Sequence, residues 1–295
     1  MRNLRRFFGL GGNWLGAVLV LAFVVVAVLA PSLAVRPVPQ SGPPERLPQP
    51  PSPEHPMGRV GNSDVWYVLV WGTRDALRLG LGVTLLTGLI GVTLGAVSGY
   101  AGGWLNAGVM RLADAFLAFP ALASVWLISY ILLGDYLYGA DGLRQLLSAL
   151  RLSPAMVALI LFSWMPYARL INTNVIRLKG QAYVEAARAV GAGPGRILLR
   201  HLLPNALAPV IVLAARDVGG MVIWATGFAF VIGGSSSLWG SLLLDARDFV
   251  MGTGGNPLRY WWVYLPVTLA LVLFGLAWNL LGDGLNQALN PRQRQ

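Results

Sequence analysis

Long stretches without a charged residue are the feature that most constrains how this chain can fold. A membrane-spanning helix needs about 20 largely apolar residues, and five stretches are long enough or nearly so. We therefore expect each of them to cross a membrane as a helix. The stretches cover residues 7–35, 79–110, 115–134, 152–168 and 260–282.

The composition agrees with burial of these stretches in lipid. Hydrophobic residues make up 56% of the 295 residues and charged residues only 12%, whereas soluble domains carry about 25% charged residues. A soluble fold of this size has too little interior to hide so much apolar surface. The 19 prolines and 36 glycines also suit membrane helices, which tolerate both residues. The composition predicts an all-α membrane protein.

A sixth span is predicted in a segment that carries two charges. The apolar run 218–232 is too short to cross a membrane, so the helix has to begin earlier, near Leu207. Arg216 and Asp217 then lie within the hydrocarbon region, where charged groups usually face the bundle interior or a watery path. Two hypotheses stay open: one residue lines a substrate pathway, or they form structural pairs, with each other or with a companion subunit.

The distribution of Lys and Arg predicts the orientation, because cytoplasmic loops carry an excess of both. With the N-terminus inside, twelve basic residues fall in inner loops and eight in outer loops, and the acidic residues of the loops lie mainly outside. We therefore expect both termini in the cytoplasm. The inner set is Arg2, Arg5, Arg6, Arg111, Arg169, Arg177, Lys179, Arg188, Arg196, Arg200, Arg292 and Arg294. The outer set is Arg36, Arg46, Arg59, Arg74, Arg144, Arg151, Arg247 and Arg259.

The pattern divides the chain into four parts. Residues 1–35 form the cytoplasmic end and the first span, and residues 36–76 form a Pro-rich extracytoplasmic connector, which is expected to be extended and semi-rigid. Residues 77–290 form a five-helix core, and residues 291–295 a C-terminal tail. A cleaved signal peptide is the alternative for the first span, but the uncharged stretch exceeds the usual apolar segment of such a peptide.

Residue types that the sequence lacks exclude several chemistries. There is no cysteine and there are two histidines, His55 and His201, so neither a thiolate site nor a histidine-built metal site is expected. The only lysine, Lys179, is followed by glycine and not by Ser or Thr, so no P-loop is present. The spans contain no His or Lys to activate a serine, and scattered basic residues argue against nucleic-acid binding. We expect a non-catalytic chain without a bound cofactor.

The segment 172–205 between the fourth and fifth spans is the most informative loop. Gln181, Glu185 and Arg188 form a polar stripe at helical spacing, and Tyr183, Ala187 and Val190 are predicted to form an apolar face. Three glycines and Pro194 then break this helix, and a second short helix over 196–201 follows. The pattern predicts a compact helical knob on the cytoplasmic surface; an ordinary interhelical loop is the alternative.

This segment resembles the EAA signature of ABC importer permeases, through Glu185-Ala186-Ala187, Gly191 and Leu203-Pro204. In that family the signature forms a coupling helix that fits a cleft in the ATPase subunit. Small side chains allow close approach, and the acidic group can pair with a basic residue across the interface. The resemblance implies an ATPase-coupling role for Glu185, Ala186, Ala187, Arg188, Gly191, Arg200 and Pro204.

The resemblance extends from about His55 to Pro291, to the second permease subunit of the dipeptide, oligopeptide and nickel transporters. Two outer segments, 59–65 and 233–240, depart from the family pattern, so the substrate is left open. The matching segments are 55–58 (HPMG), 99–104 (GYAGGW), 110–114 (MRLAD), 118–120 (AFP), 167–169 (YAR) and 279–285 (NLLGDGL).

The resemblance implies a type I ABC importer permease fold with six transmembrane helices in a bacterial or archaeal cytoplasmic membrane. The implied partners are a homologous permease, two ATPase subunits that hold ATP-Mg, and an extracytoplasmic substrate-binding protein. Peptides are the default substrate, with nickel, sugars and other small solutes as alternatives. An ATP-independent channel or secondary transporter is the competing function, and it requires neither the EAA pattern nor its position.

Overall fold

The computed structural model describes residues 11–35, 47–133, 141–150, 152–232, 237–252 and 255–289. Almost all secondary structure in these ranges is helical, apart from a hairpin of two short strands, β1 Arg59–Val60 and β2 Ser63–Asp64. The helices are α1 Gly11–Leu33, α2 Val65–Ala101, α3 Gly103–Ala118, α4 Ala121–Leu133, α5 Asp141–Ala149, α6 Pro154–Ser163, α7 Met165–Lys179, α8 Ala182–Ala189, α9 Pro194–Arg196, a π-helical turn Ile197–Leu202, α10 Leu203–Ala206, α11 Ala208–Ile232, α12 Leu238–Met251 and α13 Trp261–Leu289.

Five helical segments of the described chain are long and apolar enough to cross a membrane. Four come from α1, α2, α11 and α13, and the fifth consists of α6 and α7, which join at Trp164 with a kink before Pro166. These segments confirm the prediction of a helical membrane protein. They are Trp14–Leu33, Val65–Ala101, Pro154–Lys179, Ala208–Val231 and Trp261–Leu289.

The stretch predicted as the third span, 115–134, is divided in the structure. Helix α3 ends at Ala118 and α4 begins at Ala121, so each helix alone is too short to span a bilayer. Phe119 adopts an extended backbone with φ −77° and ψ 136°, the conformation that a following proline imposes. Pro120 therefore explains the break, and a sixth crossing requires both helices together.

Helix α2 begins within the segment 36–76 that was expected to be a connector. Asp64 caps it by accepting a hydrogen bond from the Tyr67 backbone N–H at 2.8 Å. With 37 residues the helix is about 55 Å long, so it exceeds the about 30 Å hydrocarbon core. Asp75, expected in an outer loop, lies on this helix and accepts a hydrogen bond from the Leu238 N–H at 3.1 Å. The extra turns of α2 thus hold the start of α12.

Glycines on α2 allow its close contact with α7. A Cβ atom at Gly95 would lie 2.2 Å from the Ala168 carbonyl oxygen, and one at Gly91 would lie 2.4 Å from the Trp164 carbonyl oxygen. Small residues at this spacing let membrane helices approach backbone to backbone. The two helices form one of the tightest packing surfaces of the described bundle.

Trp239 of α12 anchors that helix to the first turns of α2. Its indole is almost fully buried, its Nε1–H donates to the Leu69 carbonyl at 3.2 Å, and its ring meets Phe274 edge to face at 6.0 Å. A Cβ atom at Gly72 would lie 2.2 Å from the indole. The described part of the segment 233–240 is therefore built into the core and is not a free loop.

Contacts between helix ends define two opposite ends of the bundle. Gly16 of α1 packs against Leu280 of α13, near the end of that helix. The other end of α1 receives hydrogen bonds from the indoles of Trp66 and Trp71 at the start of α2. The first described turns of α1 and the last turns of α13 therefore lie at the same end of the bundle.

Candidate functional site

Segment 180–206, hereafter the knob, starts where α7 is fastened to the end of α2. The Lys179 ammonium donates a hydrogen bond to the Tyr100 carbonyl at 2.5 Å and lies 5.2 Å from the centre of the Tyr100 ring. Gly180 then ends α7 with a non-helical backbone. The direction in which the chain leaves the bundle is thus set by contacts to α2.

Helix α8 is amphipathic, but its buried face differs from the predicted one. Val184 and Ala187 are buried, whereas Tyr183 is 40% exposed and Val190 is 85% exposed. The prediction that Tyr183 and Val190 share the apolar face with Ala187 is therefore wrong. Val184 determines the rotation of the helix because it enters a hydrophobic cluster with Ile197 and residues of α7.

The predicted break after α8 is present. Gly191 has φ +82°, a left-handed conformation that glycine adopts without a Cβ penalty. Its N–H donates to the Arg188 carbonyl at 2.9 Å, and the Ala192 N–H donates to the Ala187 carbonyl at 2.9 Å. These bonds close the end of α8 and turn the chain back toward the bundle.

The second helix of the knob contains a π-helical turn, Ile197–Leu202. Ile197 and Leu202 are buried in the same cluster as Val184. Pro204 follows, and it has no N–H to donate to a preceding carbonyl and crowds the carbonyl four residues earlier. A widened turn relieves this conflict while the helix continues to Ala206.

The knob exposes a mixed surface, hereafter the coupling surface. Glu185, Ala186, Arg188 and Arg200 are exposed, and the apolar side chains Tyr183, Val190 and Leu199 are exposed beside them in sequence. The candidate coupling residues thus divide by environment: Ala187 supports the knob from inside, Gly191 forms its turn and Pro204 lines a cavity beneath it. Apolar groups rimmed by charges mark a protein-binding surface where they form one contiguous patch.

The two charges predicted at depth in α11 have different neighbours. The Arg216 guanidinium forms an ion pair with Asp283 of α13, and the Arg216 stem packs on Gly282. Asp217 lies beside the buried Tyr167 hydroxyl, in contact but without the geometry of a hydrogen bond. The alternative in which Arg216 and Asp217 pair with each other does not match this arrangement. Both members of the Arg216–Asp283 pair are about half exposed in the single chain.

A polar network between α2, α3 and α7 was missed by the sequence analysis. The Asn172 Nδ2 donates to Asn106 Oδ1 at 2.6 Å, to Ser98 Oγ at 3.0 Å and to the Gly95 carbonyl at 3.3 Å. One turn away, Arg169 forms an ion pair with Asp114. Asn172 was predicted to begin the loop after the fourth span, but α7 continues through it to Lys179. A polar side chain on a membrane helix needs a partner, so Asn172 just past the predicted span was the signal that could have located this network.

The end of the bundle opposite the knob carries a cleft of about 510 Å³ between the β-hairpin and α12. Asp245 and Asp248 line it, and burial raises the pKa of the Asp245 carboxyl. Next to the hairpin, the His55 Nδ1 and the Asp64 carboxylate are 2.6 Å apart. This region includes the segment 59–65 that departs from the family pattern.

Replacing Arg216 tests whether it acts in transport. Since the Arg216–Asp283 pair is half exposed, we expect Arg216→Met to lower the unfolding free energy by about 1 kcal/mol or less. Solute uptake by the assembled complex in vesicles is expected to fall roughly tenfold, which corresponds to about 1.4 kcal/mol in the barrier. The reversed pair Arg216→Asp/Asp283→Arg serves as the control. Full recovery of uptake in that variant would assign the pair a structural role.

The geometry defines a helical membrane protein with a folded, exposed knob at one end. The family model described as binding-protein-dependent transport system inner membrane component matches residues 91–295. The chain belongs to this family, whose members are the permeases of ABC importers.

Relatives with assigned transport systems support the same conclusion. The dipeptide transport system permease protein DppC of Alkalihalophilus pseudofirmus is 30% identical, over 95% of this chain and 85% of that protein. The glutathione transport system permease protein GsiD of Pectobacterium atrosepticum is 32% identical, over 84% of this chain and 76% of that protein. The nickel transport system permease protein NikC of Escherichia coli is 29% identical, over 77% of this chain and 75% of that protein. The family resemblance inferred from the sequence motifs is confirmed.

Proposed function

We propose that this chain forms half of the translocation pathway of an ATP-driven importer and receives the work of ATP hydrolysis through the knob. The observation that carries the proposal is the coupling surface, where Glu185 and Arg188 are exposed on a helix whose other face is fixed by Val184 and Ala187. A rigid helix with an exposed small residue, Ala186, can enter a cleft of an ATPase subunit without rearranging.

The packing of the knob explains how a push on it would reach the membrane. Val184, Ile197 and Leu202 share one cluster with Ile171 and Val175 of α7. Lys179 ties the same helix end to α2. A displacement of α8 therefore acts on two spanning segments together. Packed cores switch between discrete arrangements and do not deform continuously, which suits an alternation between inward-open and outward-open states.

The topology in this proposal has six spans and both termini in the cytoplasm. The first described turns of α1 and the last turns of α13 meet at one end. Asn286 and Leu289 of α13 line a cavity together with Gln181 and Pro204 of the knob, so this is the end that carries the knob. Helices α3 and α4 together supply the sixth crossing. Placing the knob in the cytoplasm then places the hairpin and α12 outside, in a bacterial or archaeal cytoplasmic membrane.

The proposed partners follow from the family. A homologous permease completes the pathway, two ATPase subunits with ATP-Mg contact the two permeases, and an extracytoplasmic binding protein delivers the substrate. The half-exposed Arg216 and Asp283 are charged groups on a predicted membrane surface, and they support a second permease or a watery path at this position. Arg216 and Asp217 remain the candidate pathway residues.

Peptides or similar small solutes are the proposed substrates. Among the relatives, the named systems transport dipeptides, glutathione and nickel.

Purification from the native membrane in mild detergent, with mass spectrometry of the co-purifying chains, tests the proposal. We expect a homologous permease and ATPases with a P-loop, and a binding protein whose bound solute then identifies the substrate. Cross-linking from position 185 should reach an ATPase chain. A chain that purifies alone and moves solute in vesicles without ATP would contradict the proposal and would instead indicate a channel or a secondary transporter.

A further inference from the structure

A second candidate site lies beneath the knob. A cavity of about 680 Å³ opens between the end of α7, the start of α11 and the end of α13. It lies at the level where the spanning segment Pro154–Lys179 ends. Its lining combines an apolar wall with side-chain amides and one guanidinium. The polar members are Asn174, Arg177, Gln181, Asn205 and Asn286, and the apolar wall includes Leu170, Val212 and Leu289.

Asn174 is the residue that indicates a ligand. The residue is only 8% exposed, and its Oδ1 accepts a hydrogen bond from the Arg177 guanidinium at 3.1 Å. This bond orients the amide, so that Nδ2 is the remaining donor. Within the described chain, Nδ2 has no hydrogen-bond partner. Buried donors in native proteins are nearly always paired. Nδ2 is enclosed in the described chain, and a rotation of the Asn174 side chain toward the cavity would let an acceptor there complete the pairing.

The charges around the cavity favour an anionic acceptor. Arg177 brings a positive charge, and the residues that line the cavity include no Asp or Glu. The nearest acid on α13, Asp283, is one turn from Asn286 and is already paired with Arg216. Guanidinium and amide donors together suit the oxygens of a phosphate group, which accept several charge-assisted hydrogen bonds.

The size and position of the cavity add to this assignment. A single phosphate group occupies only part of 680 Å³, and the apolar wall leaves space for glycerol or acyl carbons. Basic pockets between membrane helices on the cytoplasmic side are suited to lipid headgroups. We propose that Asn174 and Arg177 form a phosphate-binding site in this cavity, which is occupied by the headgroup of an anionic phospholipid or by a soluble phosphate.

Thermal unfolding of the full-length chain in phosphate-free detergent tests the proposal. The ligands are phosphatidylglycerol, diacylglycerol as the lipid without phosphate, and inorganic phosphate. We expect phosphatidylglycerol or inorganic phosphate, but not diacylglycerol, to raise the unfolding midpoint. Arg177→Gln should require about tenfold more ligand for the same shift, because it loses a charged hydrogen bond. Arg111→Gln, which removes the same charge from an exposed position on α3, should respond like the wild type.

A second variant covers the case in which Arg177→Gln fails to fold. Asn174→Leu keeps a similar side-chain volume and removes both the unpaired Nδ2 and the Oδ1 that accepts from Arg177. Because Arg177 is exposed and can bond to water instead, the midpoint without ligand should not fall below that of the wild type. The ligand response should be lost. A response to inorganic phosphate alone would identify a soluble phosphate as the occupant, and a response only to phosphatidylglycerol would identify a lipid. Equal responses of wild type, Arg177→Gln and Asn174→Leu, or no response to either phosphate ligand, would overturn the proposal.

Discussion

Gly95→Ala is expected to prevent α2 and α7 from packing. The added Cβ would lie 2.2 Å from the Ala168 carbonyl oxygen and 2.3 Å from Ile171 Cγ2, so the two helices would have to move apart. Overpacking of a tight core costs about 1–3 kcal/mol and occasionally more, and we expect a loss of roughly 3 kcal/mol here because the nearest atom belongs to the backbone. The thermal unfolding midpoint in detergent and the yield of folded chain measure the effect.

The control for this variant is Gly220→Ala on α11. No atom lies within 4 Å of a Cβ placed at Gly220, and alanine is favoured over glycine in a helix by up to about 1 kcal/mol. An unchanged or higher midpoint is therefore expected. Equal midpoints for Gly95→Ala and the wild type would show that α2 and α7 do not pack in the described way. In Gly95→Ala, the separation of Asn172 from its acceptors on α2 and α3 should add to the loss of stability.

Glu185→Lys is expected to uncouple solute transport from ATP hydrolysis while the chain still inserts and assembles. Glu185 is exposed and its backbone belongs to a helix held by Val184 and Ala187, so the change should not disturb the fold. Reversal of a charge in a protein interface costs several kcal/mol, and transport is expected to fall at least about tenfold per ATP hydrolysed. Uptake into vesicles and phosphate release, measured on the same preparation, give this ratio.

Glu54→Lys is the matched control for the charge reversal. Glu54 is exposed at the opposite end of the bundle, and the substitution changes the net charge by the same amount. We expect it to keep the ratio of solute moved to ATP hydrolysed. If Glu185→Lys also keeps that ratio, the coupling role of Glu185 is refuted, whereas a loss of assembled complex would indicate that the residue acts in subunit attachment.

The buried face of α8 shows what helical periodicity alone could not predict. The spacing of residues 181–190 correctly predicted a short amphipathic helix, and Gly191 correctly predicted its end. The sequence pattern offered two overlapping apolar faces, and it did not distinguish the one with Tyr183 and Val190 from the one with Val184. The cluster formed with Ile197, a residue on the next helix, selects Val184. That choice leaves Tyr183 and Val190 exposed, where they add apolar area to the coupling surface.

The charged residues show the same difference between what the sequence predicted and what helix packing fixed. Their rarity and their position in the sequence predicted that Arg216 and Asp217 lie at depth on one helix. The groups beside them lie on other helices: Arg216 forms an ion pair with Asp283 on α13, and Asp217 lies beside Tyr167 on α7. Residues 67 positions apart in the chain are brought together only by the packing of α11 on α13, and a single sequence carries no record of that contact.

The sequence by itself determined that lipid surrounds much of this protein. It also determined the class and the family of the protein. Uncharged stretches of span length require lipid, because no soluble interior is large enough for them, and local motifs in the knob identify the permease family. The tertiary structure decided which glycines are contact points, which face of α8 is free and where, within the described chain, the Asn174 Nδ2 is left without a hydrogen-bond partner. These properties depend on distances between helices, and those distances follow from side-chain packing across the whole bundle and not from the order of residues along one helix.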